Sequence, residues 1–150
     1  MVTERILVPF DISKYSLDAA NEAIELAELF GASITFIHIV EPEPYSDLAY
    51  DSQTADAKVE EEIREIANKW YSQVAESCTQ KKVTNKMEVL FNRGAVAETI
   101  AEYAKNMDAN LVVIGHSSVH GFGRRLKGDV AKGVIDHVHA PCSVLVVKRQ

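Results

Sequence analysis

Five short apolar runs rich in β-branched residues alternate along the chain with segments of helical periodicity, and this alternation constrains the fold most strongly. The runs are Ile6–Phe10, Ser33–Val40, Met87–Phe91, Leu111–Gly115 and Ser143–Val147. They are mostly apolar on both faces, which is typical of strands that helices cover on each side. Because such connections are right-handed, the pattern predicts an open parallel α/β sheet with helices on both faces.

Four segments carry apolar residues at helical spacing, and Gly31 follows the first of them as a helix stop. The stripes comprise Leu17, Ala20, Ile24 and Ala27; Val59, Ile63, Ile66, Trp70 and Val74; Ala97, Ile100, Ala101 and Ala104; and Val130, Val134 and Val138. The second helix is predicted from about Asp56 to Ser77. The stretch from Glu41 to about Ala55, interrupted by Pro42 and Pro44, is predicted to be one long loop.

Length and composition indicate one globular domain and exclude several classes of protein. The chain has 150 residues, 47% of them hydrophobic, with a net charge of -6 that disfavours nucleic acid or an anionic membrane as the main partner. Cys78 and Cys142 fit neither a disulfide framework nor a zinc site, and two buried thiols indicate a reducing compartment. Charges interrupt the N-terminal apolar stretch, and no run approaches a membrane span, so we expect a cytoplasmic protein.

The stretch from Leu111 to Val147 carries the strongest indication of a ligand site. An apolar strand closes on Gly115, a loop with glycines and bases runs to Gly128, and a helix follows. Glycine permits close backbone approach, and a helix N-terminus offers unpaired N–H groups to an anion. If the first and fourth strands are neighbours, Asp11 and the Gly115 loop face each other across a crevice.

Three motifs together resemble the universal stress protein family along essentially the whole chain. They are ILVPFD near the start, two glycines with twelve residues between them after the fourth strand, and HAPCSVLVVK at the end. The resemblance implies a doubly wound, Rossmann-like parallel sheet in the order 3-2-1-4-5 and a homodimer through the last strand. It also implies an adenine-nucleotide site (ATP or AMP) in members with the full glycine signature.

The chain departs from that signature, G-x2-G-x9-G-[S/T], at two of its four positions. These positions fall on Gly115, Ser118, Gly128 and Asp129. Serine in a left-handed conformation costs about 1 kcal/mol, which is tolerable. A carboxylate in place of the usual hydroxyl repels phosphate, although a basic group that includes Arg125, or a bridging Mg²⁺, would offset the repulsion. The alternative is that Asp129 is simply a helix cap.

The remaining predicted site residues come from the resemblance or from their place at strand ends. By resemblance, Asp11 accepts a hydrogen bond from ribose or adenine; otherwise it starts the turn at Ile12 or caps the first helix. By resemblance, Val40 packs against adenine, or else it is simply a core residue. Pro9 is placed by the resemblance on the same side of the adenine site. Val130 lies at the start of the last helix. His116 is a candidate phosphate donor, as is His120, while the histidine spacings do not match a structural zinc site.

Three functions follow for such a chain. The first is a regulatory dimer that senses stress by binding an adenine nucleotide at the ends of the first and fourth strands. The second is an interaction module whose glycine signature has decayed, with a protein partner that the sequence does not identify. The third is a slow ATPase, for which no catalytic constellation stands out. The apolar, proline-free edge strand Ser143–Val147 independently favours pairing with a second copy.

Overall fold

The computed structural model describes residues 3–40, 53–91, 94–116 and 129–148. The described elements are β1 (Arg5–Phe10), α1 (Lys14–Phe30), β2 (Ser33–Val40), α2 (Gln53–Gln80), β3 (Asn85–Phe91), α3 (Val96–Asn106), β4 (Leu111–Gly115), α4 (Asp129–His137) and β5 (Ser143–Val147). The five strands form one parallel sheet in the order β3-β2-β1-β4-β5, which confirms the predicted fold.

Two apolar clusters lie on opposite faces of the sheet. One cluster packs α1 and α2 against alternate residues of β1 and β2, including Ile6, Val8 and Phe36. The other packs α3 and α4 against the intervening residues, including Leu7 and Ile37. Because successive side chains point to opposite sides, each strand contributes apolar residues to both faces of the sheet, as the apolar runs predicted.

The ends of the helices match the sequence signals at some positions and differ at others. Gly31 ends α1 in the left-handed conformation (φ 69°), with its N–H bonded to Ala27 O, as predicted. Helix α2 starts at Gln53, not near Asp56, and ends at Gln80, not at Ser77. The predicted loop was therefore too long at its end, because residues 53–55 contain no helix breaker; residues 41–52 lie outside the described part of the chain.

Helix α2 does not bury the whole of its predicted apolar stripe. Trp70 and Val74 are buried, whereas Val59 and Ile66 are 48% and 52% exposed. The guanidinium of Arg64 stands over the ring of Phe91, the last residue of β3. The turns of α2 before Arg64, which include Val59, therefore lie at or beyond the carboxyl edge of the sheet, past the last residue of β3.

Both edge strands are less buried than predicted. The residues of β3 and β5 are mostly half-buried, because each strand has a neighbour on one side only among the described residues. Strand β3 also starts at Asn85, two residues earlier than predicted, since the polar pair Asn85 and Lys86 aligns with Ile34 and Thr35 of β2. Backbone pairing, and not side-chain polarity, sets that boundary.

Both cysteines are free thiols. Cys78 is buried, and burial raises the pKa of its thiol to about 11. Cys142 is half-buried instead of fully buried as predicted, because it immediately precedes the edge strand β5, and burial raises its pKa as well. None of the described helices is both long enough and apolar enough to cross a bilayer.

Candidate functional site

The carboxyl ends of β1 and β4 lie side by side at the point where the strand order reverses. The chain leaves β1 toward β2 and β3 on one side, and β4 and β5 occupy the other side. Asp11 follows the last residue of β1, and Gly115 is the last residue of β4. The condition for a crevice between Asp11 and the Gly115 loop is thus met, because ligands of doubly wound sheets bind at this switch point.

Pro9 ends the hydrogen-bonded ladder between β1 and β4. Glu4 O accepts from Ser33 N of β2 and Arg5 O accepts from Asn110 N before β4, so odd-numbered residues of β1 direct their backbone groups toward β4. The pairing of β1 with β4 stops at Leu7–Val112, and Pro9 has no N–H to supply the next bond. The pairing of these two central strands therefore ends before the last residues of β1 and β4.

The Asp11 carboxylate is held in place by the start of α1. Its Oδ1 accepts hydrogen bonds from Ser13 N (3.0 Å) and from Ser16 Oγ (2.7 Å), while Ser16 Oγ accepts from Asp11 N (2.9 Å). Ser13 is the N-cap of α1, and its Oγ accepts from Ser16 N. Asp11 thus starts the turn, which is one of the two structural roles predicted for it. The helix cap is Ser13. The Asp11 side chain is exposed, with Oδ2 unbonded among the described residues.

The turn after Asp11 places Ile12 in a conformation that β-branched residues rarely adopt. Its φ is 68°, in the left-handed region, and its side chain is 38% exposed. A left-handed residue other than glycine costs about 1–2 kcal/mol. The bonds that Asp11 makes with Ser13 and Ser16 hold this strained turn, so the carboxylate has a defined position before any ligand arrives.

Gly115 is required by close packing between β4 and α1. A Cβ at this position would lie 2.3 Å from Tyr15 O and 2.7 Å from Tyr15 C. Tyr15 belongs to the first turn of α1, next to Ser16, so Gly115 brings the two walls of the crevice together. Sequence reasoning assigned this glycine to phosphate approach, and the structure provides a packing reason for the same residue.

An aromatic stack supports the end of β1 from the α2 side. The rings of Phe10 and Trp70 are parallel with centroids 3.9 Å apart, and the His38 ring lies 5.1 Å from Phe10 on β2. His38 Nδ1 donates to Phe10 O across 2.9 Å. These contacts fix the residue immediately before Asp11.

The other predicted positions with described surroundings lie along the same edge of the sheet. Val40 ends β2 and is half-buried; because Phe10 aligns with His38, Val40 stands level with the turn at Ile12. His116 follows β4 and donates its backbone N–H to Val147 O, which ties it to the end of β5. Val130, in the first turn of α4, is half-buried against the α3–α4 cluster.

Five predicted positions lie outside the part of the chain whose side chains are described. Ser118, Arg125 and Gly128 lie outside the described residues, as does His120. Helix α4 begins at Asp129, but the side chain of Asp129 is not described. The roles of these residues toward phosphate, and a role of Asp129 toward Mg²⁺, remain predictions.

Sequence reasoning missed the residues that position the site, above all Ser16 and Tyr15. The spacing Asp11, Ser13, Ser16 was a usable signal, since a carboxylate and two hydroxyls at a helix start form turns and caps. Nothing in the sequence indicated the approach of Tyr15 to Gly115. The sequence likewise gave no indication that His38 bonds the end of β1.

The geometry defines a doubly wound α/β protein with Asp11 and Gly115 at its switch point, and comparisons with known proteins identify the family. A sequence model described as the universal stress protein family matches residues 3–148. A universal stress protein of Methanocaldococcus jannaschii is 35% identical over 147 residues, covering 97% of this chain and 82% of that protein. The chain therefore belongs to the universal stress protein family.

Solved structures of the same fold superpose on the chain. Universal stress protein UspA from Lactobacillus plantarum superposes with a TM-score of 0.70 at 26% identity, covering 98% of this chain and 99% of that one. A universal stress protein from Archaeoglobus fulgidus, solved in complex with dAMP, superposes with a TM-score of 0.64 at 21% identity, covering 99% of this chain and 100% of that one.

Proposed function

We propose that this protein binds an adenine nucleotide, AMP or ATP, in the crevice between the ends of β1 and β4 and acts as a regulatory or sensing protein in a stress response. The observation that carries the proposal is the exposed Asp11 carboxylate, fixed at the switch point by Ser13 and Ser16. A carboxylate at a strand end suits a sugar hydroxyl. The dAMP complex of the Archaeoglobus fulgidus protein supports the same class of ligand.

A second function, an interaction module without nucleotide, is favoured by one observation. Gly115 is needed for the approach of Tyr15, so its presence does not require a bound phosphate. Together with serine at position 118 and aspartate at position 129, this leaves the glycine signature without an unambiguous phosphate role. The two functions differ in a single measurable property, the binding of nucleotide.

Binding of AMP and of ATP, each with and without Mg²⁺, tests the proposal by calorimetry. We expect Asp11→Asn to weaken binding about 10-fold or more, because a hydrogen bond to a charged group contributes about 1.5–3 kcal/mol. Asparagine keeps an Oδ1 acceptor for Ser13 N, so the turn survives. Asp136→Asn, at the far end of α4, is the matched control and should leave binding unchanged.

Two outcomes of this experiment decide between the functions. Wild-type protein that binds neither nucleotide under either condition would contradict the proposal and leave the interaction module. If only the Asp129→Ser variant binds nucleotide, the Asp129 carboxylate prevents binding in the wild type. The interaction module then remains as the function of the natural protein. Dependence on Mg²⁺ in the wild type would support a bridging role for Asp129.

We also propose that the protein is a homodimer paired through β5. In the described residues β5 contacts only β4 in the sheet, and Val144, Leu145, Val146 and Val147 are all half-buried. Ser143 N donates to Asn110 O and Val147 O accepts from His116 N, so odd-numbered residues face β4. The N–H groups of Val144 and Val146 therefore point outward, where a second strand would accept from them.

The substitution Val146→Pro tests the dimer without touching the β4–β5 ladder. It removes an outward N–H, so we expect a folded monomer by light scattering at micromolar concentration, against a dimer for the wild type. Leu145→Pro removes an inward N–H and should instead destabilise the sheet. A monomeric wild type would refute the dimer.

A further inference from the structure

The opposite edge of the sheet, at β3, borders a groove that the proposed nucleotide site does not include. A cavity of about 310 Å³ lies between β3 and α2, lined by Arg64 and Asn68 of the helix and by residues 87–90 of the strand. Its lining is thus the edge of a strand that pairs with β2 alone among the described strands, and two polar side chains on the other side. Neither side chain has a hydrogen bond or an ion pair with another described residue.

Along this groove the backbone of β3 presents groups that pair with no other described strand. Ile34 N donates to Thr84 O, and Ile34 aligns with Asn85, which sets the phase of the parallel ladder. Even-numbered residues of β3 therefore bond to β2, while the N–H and C=O groups of Met87 and Val89 point away from the sheet. An edge of this kind is a template for one more strand.

Among the described residues that line the groove, the charged group without an ion pair is the guanidinium of Arg64. The Arg64 guanidinium is held 5.0 Å above the centroid of the Phe91 ring. The Glu88 carboxylate is occupied on the α3 face, where it accepts from the Tyr103 hydroxyl and lies 3.8 Å from Lys86 Nζ. Burial and Glu88 together raise the pKa of Tyr103 to about 12, so this donor stays protonated at neutral pH.

We propose that this groove binds an extended peptide segment of a partner protein, added to the sheet beside β3, with an Asp or Glu side chain paired to Arg64. Backbone bonds to Met87 and Val89 would provide affinity, and Arg64 and Asn68 would select the sequence. The site is independent of nucleotide binding.

A second copy of the chain suits the groove less well than an acidic peptide. If β3 paired with its own mate, the side chains beside Arg64 would be those on the α2-facing side of β3. These are Asn85, Met87, Val89 and Phe91, and none is acidic. Such pairing would cover the edge without providing a carboxylate for the guanidinium.

Selection of peptides from a displayed random 12-residue library, with the full chain as the target, tests the proposal. We expect enriched peptides with alternating apolar residues and one acidic position. In fluorescence anisotropy, Arg64→Glu should weaken such a peptide about 10-fold or more, since like charges replace an ion pair. Lys69→Glu makes the same charge change on the far side of α2 and should leave the affinity within about twofold.

Two proline variants separate this edge from the β5 edge. Val89→Pro removes an outward N–H of β3 and should abolish peptide binding while the protein remains dimeric. Val146→Pro should do the reverse. If Val89→Pro fails to fold, hydrogen exchange of the wild type provides the answer, because the amides of Met87 and Val89 should become protected only when the peptide is added.

Three results would overturn the proposal. The first is a library that yields no peptide. The second is a peptide whose affinity is insensitive to Arg64→Glu and which leaves the Met87 and Val89 amides unprotected. The third is concentration-dependent protection of those amides without peptide, which would show that a second copy occupies the edge.

Discussion

Replacement of Gly115 by alanine is expected to lower the free energy of unfolding by about 1–3 kcal/mol, the usual cost of an overpacked contact. The added Cβ would meet the backbone of Tyr15 at 2.3 Å, and a backbone carbonyl cannot swing aside as the end of a side chain can. Either β4 or the first turn of α1 must move. Because that turn holds Ser16 and thereby Asp11, the same variant should also weaken nucleotide binding.

Gly31→Ala is the matched control for this substitution. It adds the same atom at a glycine with φ 69° and nothing within 4 Å, so its cost is conformational, about 1 kcal/mol, and distant from the crevice. Urea unfolding of both variants and calorimetry with AMP measure the two effects. Equal losses of stability with unchanged nucleotide binding would show that Gly115 is not a packing constraint on the site.

The order of the elements was predictable from the sequence because it depends on local patterns. Apolar runs such as Ile6–Phe10 and helical stripes such as that of α1 repeat with different periods, and the stop at Gly31 has a backbone reason. The strand order came from the resemblance to a family, since the alternation of strands and helices fits more than one order. With β1 beside β4, the position of Asp11 opposite Gly115 follows from the rule for parallel sheets.

The support of the site was not predictable because it depends on contacts between distant segments. The ring of Trp70 lies on Phe10, and Tyr15 lies against Gly115, one hundred residues later. Neither pair leaves a periodic signal. The apolar period of α2 similarly predicted burial of Val59, but only the length of the sheet decides where a helix still has strands beneath it.

Gly133 is the second glycine whose substitution should have a large effect, through the contact of α4 with α3. A Cβ at this position would lie 2.6 Å from the Cβ of Ala97. Alanine is the better helix former by about 1 kcal/mol, so propensity alone predicts a gain for Gly133→Ala. We expect the opposite, a net loss of stability, because overpacking at 2.6 Å outweighs the helical gain.

A double-mutant cycle separates these two effects. Ala97→Gly removes the opposing Cβ, so the pair Gly133→Ala with Ala97→Gly should be more stable than Gly133→Ala alone, although it places a glycine in α3. We expect a coupling energy of about 1 kcal/mol or more in urea unfolding, as is found for residues in direct contact. Additive effects of the two substitutions would mean that α3 and α4 move apart freely. Coupling would mean that Gly133 fixes α4, and with it the helix start at Asp129 beside the proposed nucleotide site.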